Sequence, residues 1–393
     1  MNYKIMILQC ILLSSCQLLN QKEFKSEWQT LKEAKDVDCQ KWPQRKTDLE
    51  ILGISSAEIS NDPGFVVVSR NRTGRESIRY RRFEGGLEDE SIDLNWGGSA
   101  KYVGSYSIKG LKYFVIERTI GRNKVVELRN PKTNVVEYST KKISLRTHIL
   151  KSLPSKNGLW VVYKNYSNDI SRDESPVKIL ELTPNEKAGL DINYIKNVKL
   201  SPDAKVVVND DRHLFVMWKL KKKKRDDAPK FSYTILEDAK KKPTVYSLGN
   251  QMKYQVESWN LSTHRDGTLA VFVSGDTLIW ENASMELKYF DFKGDQSWSK
   301  SVKIENEHIG DPLLVSLASF TYLVLPKWLD GESTLAVTKI RDNELEDMGN
   351  FGVFKEGTFI VSALQPKGES RPYVIKQYPV GFIKKYSICE IEL

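Results

Sequence analysis

The feature that most constrains this chain is a turn followed by a short apolar, β-branched run, recurring seven times beyond residue 49. Pro63-Gly64 precedes Phe65-Val66-Val67-Val68, Lys109-Gly110 precedes Tyr113-Phe114-Val115-Ile116, and Asn157-Gly158 precedes Leu159-Trp160-Val161-Val162. Asp203-Ala204 precedes Val206-Val207-Val208, and Asp266-Gly267 precedes Leu269-Ala270-Val271-Phe272-Val273. Gly310-Asp311-Pro312 precedes Leu313-Leu314-Val315, and Glu356-Gly357 precedes Phe359-Ile360-Val361. The turn positions 64, 110, 158, 204, 267, 310 and 357 lie 46, 48, 46, 63, 43 and 47 residues apart. Each interval has room for four strands. In 146–187, for example, 146–150 reads as extended, 154–158 as a turn, 159–164 as a continuous apolar strand and 177–183 as an alternating one.

A continuous apolar run suits a strand covered on both faces. A period of 40–50 residues in a sequence with almost no helical signal indicates an all-β fold, a seven-bladed β-propeller of four-stranded antiparallel blades. Tandem β-sandwiches are the competing reading. A membrane β-barrel fits poorly, because it needs alternating segments of about 10 residues and runs such as Val66-Val67-Val68 break the alternation. With 40% apolar residues among 393, the chain has enough material for a core, and 49–393 reads as one domain. At each turn, glycine is expected to supply a backbone with positive φ between the first two strands of a blade.

Two of the turns resemble a known family. Leu200-Ser201-Pro202-Asp203-Ala204-Lys205-Val206-Val207-Val208 is similar to the Ser-Pro-Asp-Gly-Lys repeat of TolB-like and WD40-like propellers, and Thr263-His264-Arg265-Asp266-Gly267-Thr268-Leu269-Ala270 is a looser copy. Ala204 stands where the pattern has glycine, and no copy carries a Trp-Asp or Gly-His pair. A second resemblance lies at the N-terminus. Lys4 supplies a positive charge, residues 5–13 form an apolar run too short to span a bilayer, and Leu13-Ser14-Ser15-Cys16 resembles the lipobox of bacterial lipoproteins. That resemblance implies a signal peptide over 1–15, cleavage before Cys16 and lipidation of Cys16, palmitate being one of its acyl chains. Gln17, rather than the Asp typical of inner-membrane retention, points to the outer membrane, with the domain in the periplasm or elsewhere in the envelope. Residues 16–48 then read as a tether. Phe24, Trp28 and Leu31 have the spacing of a short amphipathic helix within 23–35, although a flexible linker is the plainer reading.

The other cysteines follow from this layout. Cys10 leaves with the signal peptide, and Cys39 and Cys389 remain, one ahead of the first repeat and one in the last strand. A propeller closes by pairing strands from its two ends, so a Cys39–Cys389 disulfide would clasp the ring in an oxidising compartment. The net charge of +9 is also localised. The long interval 204–267 contains Lys219, Lys221, Lys222, Lys223, Lys224, Arg225, Lys230, Lys240, Lys241 and Lys242, and residues 219–242 carry a net +6. It reads as an inserted basic hairpin, suited to anionic lipid, a cell-wall polymer or an acidic protein, or simply as a solvated loop. Nucleic acid is not expected in that compartment.

No catalytic pattern emerges. His148, His213, His264 and His308 have no metal-ligand spacing, and neither a nucleophile elbow nor a phosphate loop is present. Asp210-Asp211-Arg212-His213, His264-Arg265-Asp266 and Glu88-Asp89-Glu90 with Asp93 read as polar turns and surface runs. The sequons at Asn71, Asn165, Asn260 and Asn282 read as incidental, and Trp160, Trp218, Trp259 and Trp280 read as inter-blade core. No cofactor, metal or catalytic residue is implied. The expected function is a lipid-anchored, non-catalytic propeller that binds or scaffolds an envelope protein. A propeller lyase or hydrolase acting on glycans, or a carbohydrate- or cell-wall-binding module, is the alternative.

Overall fold

The computed structural model describes the chain between Asp38 and Ile391, apart from connecting segments of which 42–47, 83–91, 95–99, 167–173, 221–229, 249–255, 275–283, 304–307 and 365–372 are the longest. Every regular element among the described residues is a β-strand. Strand β1 (Asp38–Lys41) stands ahead of seven antiparallel meanders, or blades. Blade 1 is β2 (Asp48–Ile59), β3 (Asp62–Asn71), β4 (Glu76–Arg82) and β5 (Ile92–Leu94). Blade 2 is β6 (Ala100–Ile108), β7 (Leu111–Ile120), β8 (Asn123–Arg129) and β9 (Val136–Thr140), with β10 (Ile143–Ser144) against β8. Blade 3 is β11 (Thr147–Pro154), β12 (Leu159–Asn165), β13 (Val177–Pro184) and β14 (Gly189–Tyr194). Blade 4 is β15 (Lys205–Val208), β16 (Leu214–Lys219), β17 (Phe231–Leu236) and β18 (Val245–Ser247). Blade 5 is β19 (Val256–His264), β20 (Gly267–Ser274), β21 (Ser284–Phe290) and β22 (Gln296–Lys303). In blade 6, β23 (His308–Ile309) and β24 (Leu313–Ser316) both pair with β25 (Thr321–Leu329), followed by β26 (Glu332–Arg341) and β27 (Glu344–Lys355). Blade 7 is β28 (Phe359–Leu364), β29 (Tyr373–Val380) and β30 (Ile383–Glu390), and β1 completes it as the outer strand.

The first strands touch in chain order: β2 meets β6, then β11, β15, β19, β24 and β28 follow, each against the next, while β2 also meets β30. This is the inner wall of a β-propeller. Closure places Cys39 directly opposite Cys389 in the β1–β30 register. Cys389 is fully buried and disulfide-bonded. Strand β1 lies ahead of the boundary at 49 expected from the sequence, because the last blade draws its outer strand from the N-terminal segment.

Among the described residues the core is divided: apolar clusters fill the spaces between neighbouring blades, and the second strands of blades 3, 4, 5 and 6 each supply two of them by simple alternation. Leu159, Val161 and Tyr163 pack towards blade 2. Trp160 and Val162 pack towards blade 4. Leu214, Val216 and Trp218 meet blade 3, and Phe215 and Met217 meet blade 5. Ala270 and Phe272 meet blade 4, and Leu269 and Val271 meet blade 6. This two-sided burial accounts for the unbroken apolar runs. Trp160, Trp218 and Trp259 are all buried in these interfaces. Trp280 lies outside the described residues.

The structure resets the repeat read from the sequence. Glycines 64, 110, 158 and 267 mark second strands, but Ala204 and the glycines at 310 and 357 precede inner strands instead. The second strands begin at Asp62, Leu111, Leu159, Leu214, Gly267, Thr321 and Tyr373, offsets of 49, 48, 55, 53, 54 and 52 residues. The apparent insertion between 204 and 267 therefore disappears. Residues 221–229, outside the described residues, fall between the second and third strands of blade 4, whose ends meet where Leu220 N–H donates to the Lys230 carbonyl at 2.8 Å. Glycine at the turns also has a different cause from the one expected. A Cβ on Gly158 would lie 2.0 Å from the Leu182 carbonyl oxygen, and one on Gly267 would lie 2.2 Å from that of Phe290. Close approach of the third strand excludes a side chain at both positions. Positive φ falls instead on Arg212 and Arg265, in the turns just before the second strands of blades 4 and 5.

Phe272 packs against Phe231 with ring centroids 5.0 Å apart, and also stacks on Trp259. Phe272→Ala is expected to cost about 3–5 kcal/mol in urea unfolding. Leu111→Ala, at an exposed position, should cost less than about 1 kcal/mol.

Candidate functional site: channel wall and blade 3–4 cleft

The inner strands are irregular in nearly every blade. Register shifts occur at Asp48/Glu50 and Ile51/Gly53 in β2, Tyr102/Gly104 in β6, Ile149/Lys151 in β11, Val256/Ser258 in β19 and Ile360/Ser362 in β28. In blade 6 the inner strand is split ahead of Pro312, which has no N–H to give a ladder. A bulge leaves one residue unpaired and turns its side chain away from the regular alternation. Blades 2 and 3 press closest together here. The Ser152 hydroxyl donates to the Val103 carbonyl at 3.2 Å, and a Cβ on Gly104 would lie 2.5 Å from the Ser152 Oγ.

Along this wall, polar side chains tie blades 2 to 6 in succession, always in the same direction. Lys101 Nζ of blade 2 donates to the Ile149 carbonyl of blade 3 at 2.6 Å. Lys151 Nζ of blade 3 donates to the Val206 carbonyl of blade 4 at 2.6 Å. Lys205 Nζ of blade 4 donates to the Trp259 carbonyl of blade 5 and lies 5.2 Å from the centre of the Trp259 ring. Asn260 Nδ2 of blade 5 donates to the Pro312 carbonyl of blade 6 at 2.8 Å. Ammonium-to-carbonyl bonds are charge-assisted and stronger than neutral ones. Deeper between blades, two buried carboxylates act in the same way. Glu117 accepts from Lys124 Nζ at 2.5 Å and from the Ile149 N–H at 3.1 Å. Glu181 accepts from the Ser155 hydroxyl at 2.7 Å and from the Ala239 N–H at 3.1 Å.

Electrostatically, the wall is uneven. Burial, reinforced by the nearby Lys205 charge, pulls Lys151 down to about 8. Burial also lowers Lys205, but Asp311 and Asp203 act against that shift. On the blade 5–6 side, the His264 Nδ1 pairs with the Thr321 hydroxyl at 2.8 Å, and Nε2 is buried with no hydrogen-bond partner. Burial, then the Arg265 charge, push His264 below its ordinary value, so its ring is neutral.

The residues singled out in the sequence are dispersed. Cys16, Lys221, Lys222, Lys223, Lys224 and Arg225 lie outside the described residues, as do Glu88, Asp89, Glu90, Asp210 and Asp211. Lys219 reaches back to the Val256 carbonyl at 3.2 Å, fastening blade 4 to blade 5. Lys240, Lys241 and Lys242 form a separate exposed turn. There Asp238 caps the Lys240 and Lys241 N–H groups, and Lys241 pairs with Glu237. Arg265 pairs with Asp342 of blade 6, and Asp266 accepts from the Tyr289 hydroxyl at 2.6 Å, so this turn joins blades. The Asn260 sequon side chain is committed to the channel wall. Among the described residues, no three His, Cys, Asp or Glu side chains are placed to hold a metal ion. The channel lysines escape a reading of motifs, but a polar residue recurring near the blade period, at 101, 151, 205 and 260, is the signal they leave.

A second feature opens on the outer side of the blade 3–4 interface. Strand β14 is drawn towards blade 2, where it pairs in parallel with β9 through Gly189↔Ser139 and Leu190↔Thr140. A cleft of about 270 Å³ lies beside blades 3 and 4, lined by Tyr163, Lys178, Tyr194, Ile195 and Thr234 among others. Tyr194 is 51% exposed. Val245, also exposed, sits opposite Thr234 on the same face of blade 4. Burial and the neighbouring Tyr194 push Tyr163 up to about 12, so its hydroxyl remains a donor.

The comparisons with known proteins agree on fold and go no further. No protein-family model matches the sequence. No curated protein matches it either. Among solved structures, the chain is similar to an uncharacterised protein of Listeria monocytogenes at 9% identity and a TM-score of 0.52, covering 86% of this chain and 94% of that one. It is similar to an oligogalacturonate lyase in complex with manganese at 9% identity and a TM-score of 0.50, covering 91% and 98%. The β-propeller domain of a Pyrococcus furiosus protease also matches, at 10% identity and a TM-score of 0.47, covering 85% and 95%.

The free lysine side chain titrates at 10.5 and the folded Lys151 at about 8. Between those values the unfolded chain binds more protons, so the penalty for burying this charge is complete below about pH 8 and is relieved as pH rises. Lys151→Met should reduce the gain in urea midpoint between pH 7.5 and 10. An unchanged gain would contradict a buried, destabilising charge.

Proposed function

We propose that the protein is a lipid-anchored cell-envelope β-propeller that binds a protein partner as a non-catalytic scaffold. The observation that carries the partner reading is the tyrosine-lined cleft beside blade 3, with Val245 beside it on blade 4. Tyrosine is enriched at protein interfaces, where its ring is buried and its hydroxyl finds a partner. The clamps between blades give that cleft rigid walls, which lowers the ordering cost of binding. The Leu13-Ser14-Ser15-Cys16 sequence supports lipidation of Cys16, and two or more acyl chains suffice for stable anchoring. Gln17 supports delivery to the outer membrane. In the same compartment, the register of Cys39 against Cys389 supports a bridge that fastens β1 to the last blade. The basic segment containing Lys221, Lys222, Lys223 and Lys224 offers a second, electrostatic contact to the anionic membrane surface.

Site-specific photocross-linking in cells labelled with a palmitate analogue tests both parts together. The expected result is a labelled protein that cross-links one defined protein from positions 194 and 245 but not from position 111. Cys16→Ser should lose the label and leave the membrane fraction. A glycan as the only species captured at position 194 would replace the scaffold by a carbohydrate-binding module. Retained labelling in Cys16→Ser would remove the anchor.

A further inference from the structure

Asn260, Ser262 and His264 alternate along β19, so their side chains share the face turned to blade 6, while Trp259 and Leu261 pack with blade 4. All three cross the seam between blades 5 and 6. Asn260 reaches the Pro312 carbonyl, the Ser262 hydroxyl meets that of Ser316 at 2.6 Å, and His264 Nδ1 meets the Thr321 hydroxyl at 2.8 Å. The last contact is the unusual one. His264 is 1% exposed, Thr321 is fully buried, and Nε2 of the same ring has no hydrogen-bond partner. The hydroxyl protons fix the state of the ring, because each hydroxyl has one proton to give. Ser316 gives its own to the Thr263 carbonyl, which leaves it to accept from Ser262 and, at 3.3 Å, from Thr321. The Thr321 oxygen then accepts the Nδ1 proton of His264, and Nε2 keeps a bare lone pair. The opposite tautomer would bury an N–H at Nε2 with no acceptor, which is costlier than an unused lone pair.

We infer that His264 is a proton-operated latch between blades 5 and 6: the neutral ring holds Thr321 across the seam, and a second ring proton drives the ring out and opens the seam. That proton goes to Nε2, where it would make a buried cation whose new donor has no acceptor. Among the described residues around the ring, none is placed to supply one. On its own turn, Arg265 is a cation, and Asp266 already accepts from the Tyr289 hydroxyl of β21. From blade 6, Asp342 is taken by Arg265, and Thr321 is used at Nδ1. Tyr289 packs against the imidazole at nearly a right angle, with ring centroids 5.6 Å apart. Burial and then the Arg265 charge hold the ring below the 6.5 of an exposed histidine, with Asp342 and Asp266 acting the other way. An opened seam returns the ring to water and to its ordinary value. The open form therefore binds more protons, so the seam is intact above pH 6.5 and weakens as pH falls below it. Leu269, Val271, Leu323 and Leu325 of the two second strands pack together in this seam, and opening exposes them.

Hydrogen exchange on the mature chain at pH 7.5 and pH 5, corrected for the intrinsic pH dependence of exchange, reads the seam directly. Between the two, amide protection in β20 and β25 should fall by at least about tenfold more than in β12 and β16. A dye that binds exposed apolar surface should bind at pH 5 and be released on return to pH 7.5. His264→Asn keeps a donor for Thr321 but does not titrate in this range, so the extra loss should disappear. His264→Phe breaks the link without adding a titrating group, and should lower protection in β20 and β25 equally at both pH values. His213→Asn, in blade 4, should leave the acid response unchanged. Nitrogen-15 NMR of the unsubstituted chain needs no variant, and at pH 7.5 should find the His264 proton on Nδ1 and none on Nε2. The inference is overturned if acid loosens all blades alike or none, if the extra loss survives in His264→Asn or His264→Phe, if Nε2 carries the proton at pH 7.5, or if the ring becomes charged while β20 and β25 stay protected.

Discussion

Two-sided burial of the second strand, seen in blades 3 to 6, is the interaction on which the rest of this molecule depends. Leu159, Val161 and Tyr163 need blade 2, while Trp160 and Val162 on the same strand need blade 4. A sheet that is apolar on both faces is not stable alone, because each face costs free energy until a neighbour covers it. The requirement passes from blade to blade and ends only when the last blade meets the first. Closure follows from that arithmetic, and β1 provides it by pairing with β30.

The remaining polar features elaborate this frame. Because apolar packing sets blade spacing but not blade register, hydrogen bonds between neighbours fix the latter. Lys101, Lys151, Lys205 and Asn260 do so on the inner wall, Glu117 and Glu181 between blades, and Arg265 with Asp342 at a turn. Using a charged group as a clamp has an electrostatic cost, which is visible where the counter-charge is missing. Beside blades 3 and 4, where β14 pairs with β9 of blade 2, lies the cleft lined by Tyr163 and Tyr194 among others.

The architecture was readable because the two-sided burial leaves a trace in composition. Runs such as Leu159-Trp160-Val161-Val162 are apolar at consecutive positions, and they recur at the length of one blade. The assignment of strands within a blade was less readable. Val206-Val207-Val208 looks like a second strand, but it is the short inner strand of blade 4, and Leu214–Lys219 is the one with neighbours on both faces. That misplacement by one strand generated the apparent insertion around the basic segment. The channel lysines were hidden for another reason. A lysine on a half-buried strand such as β11 has the pattern of a solvent-facing residue, and only the next blade turns that face into an interface. At 158 and 267 the approach of a third strand, and not a positive φ, requires glycine, and that approach depends on tertiary packing.

Hydrogen exchange on the mature chain, compared with one lacking residues 17–41, addresses the closed ring most directly. If the blades stabilise one another around a closed circle, removing β1 lowers amide protection in β12 and β25 as well as in β30, because opening one interface loosens those on both sides. Loss of protection confined to β29 and β30, with β12 and β25 unchanged, would mean that the blades fold as independent units and would contradict the account.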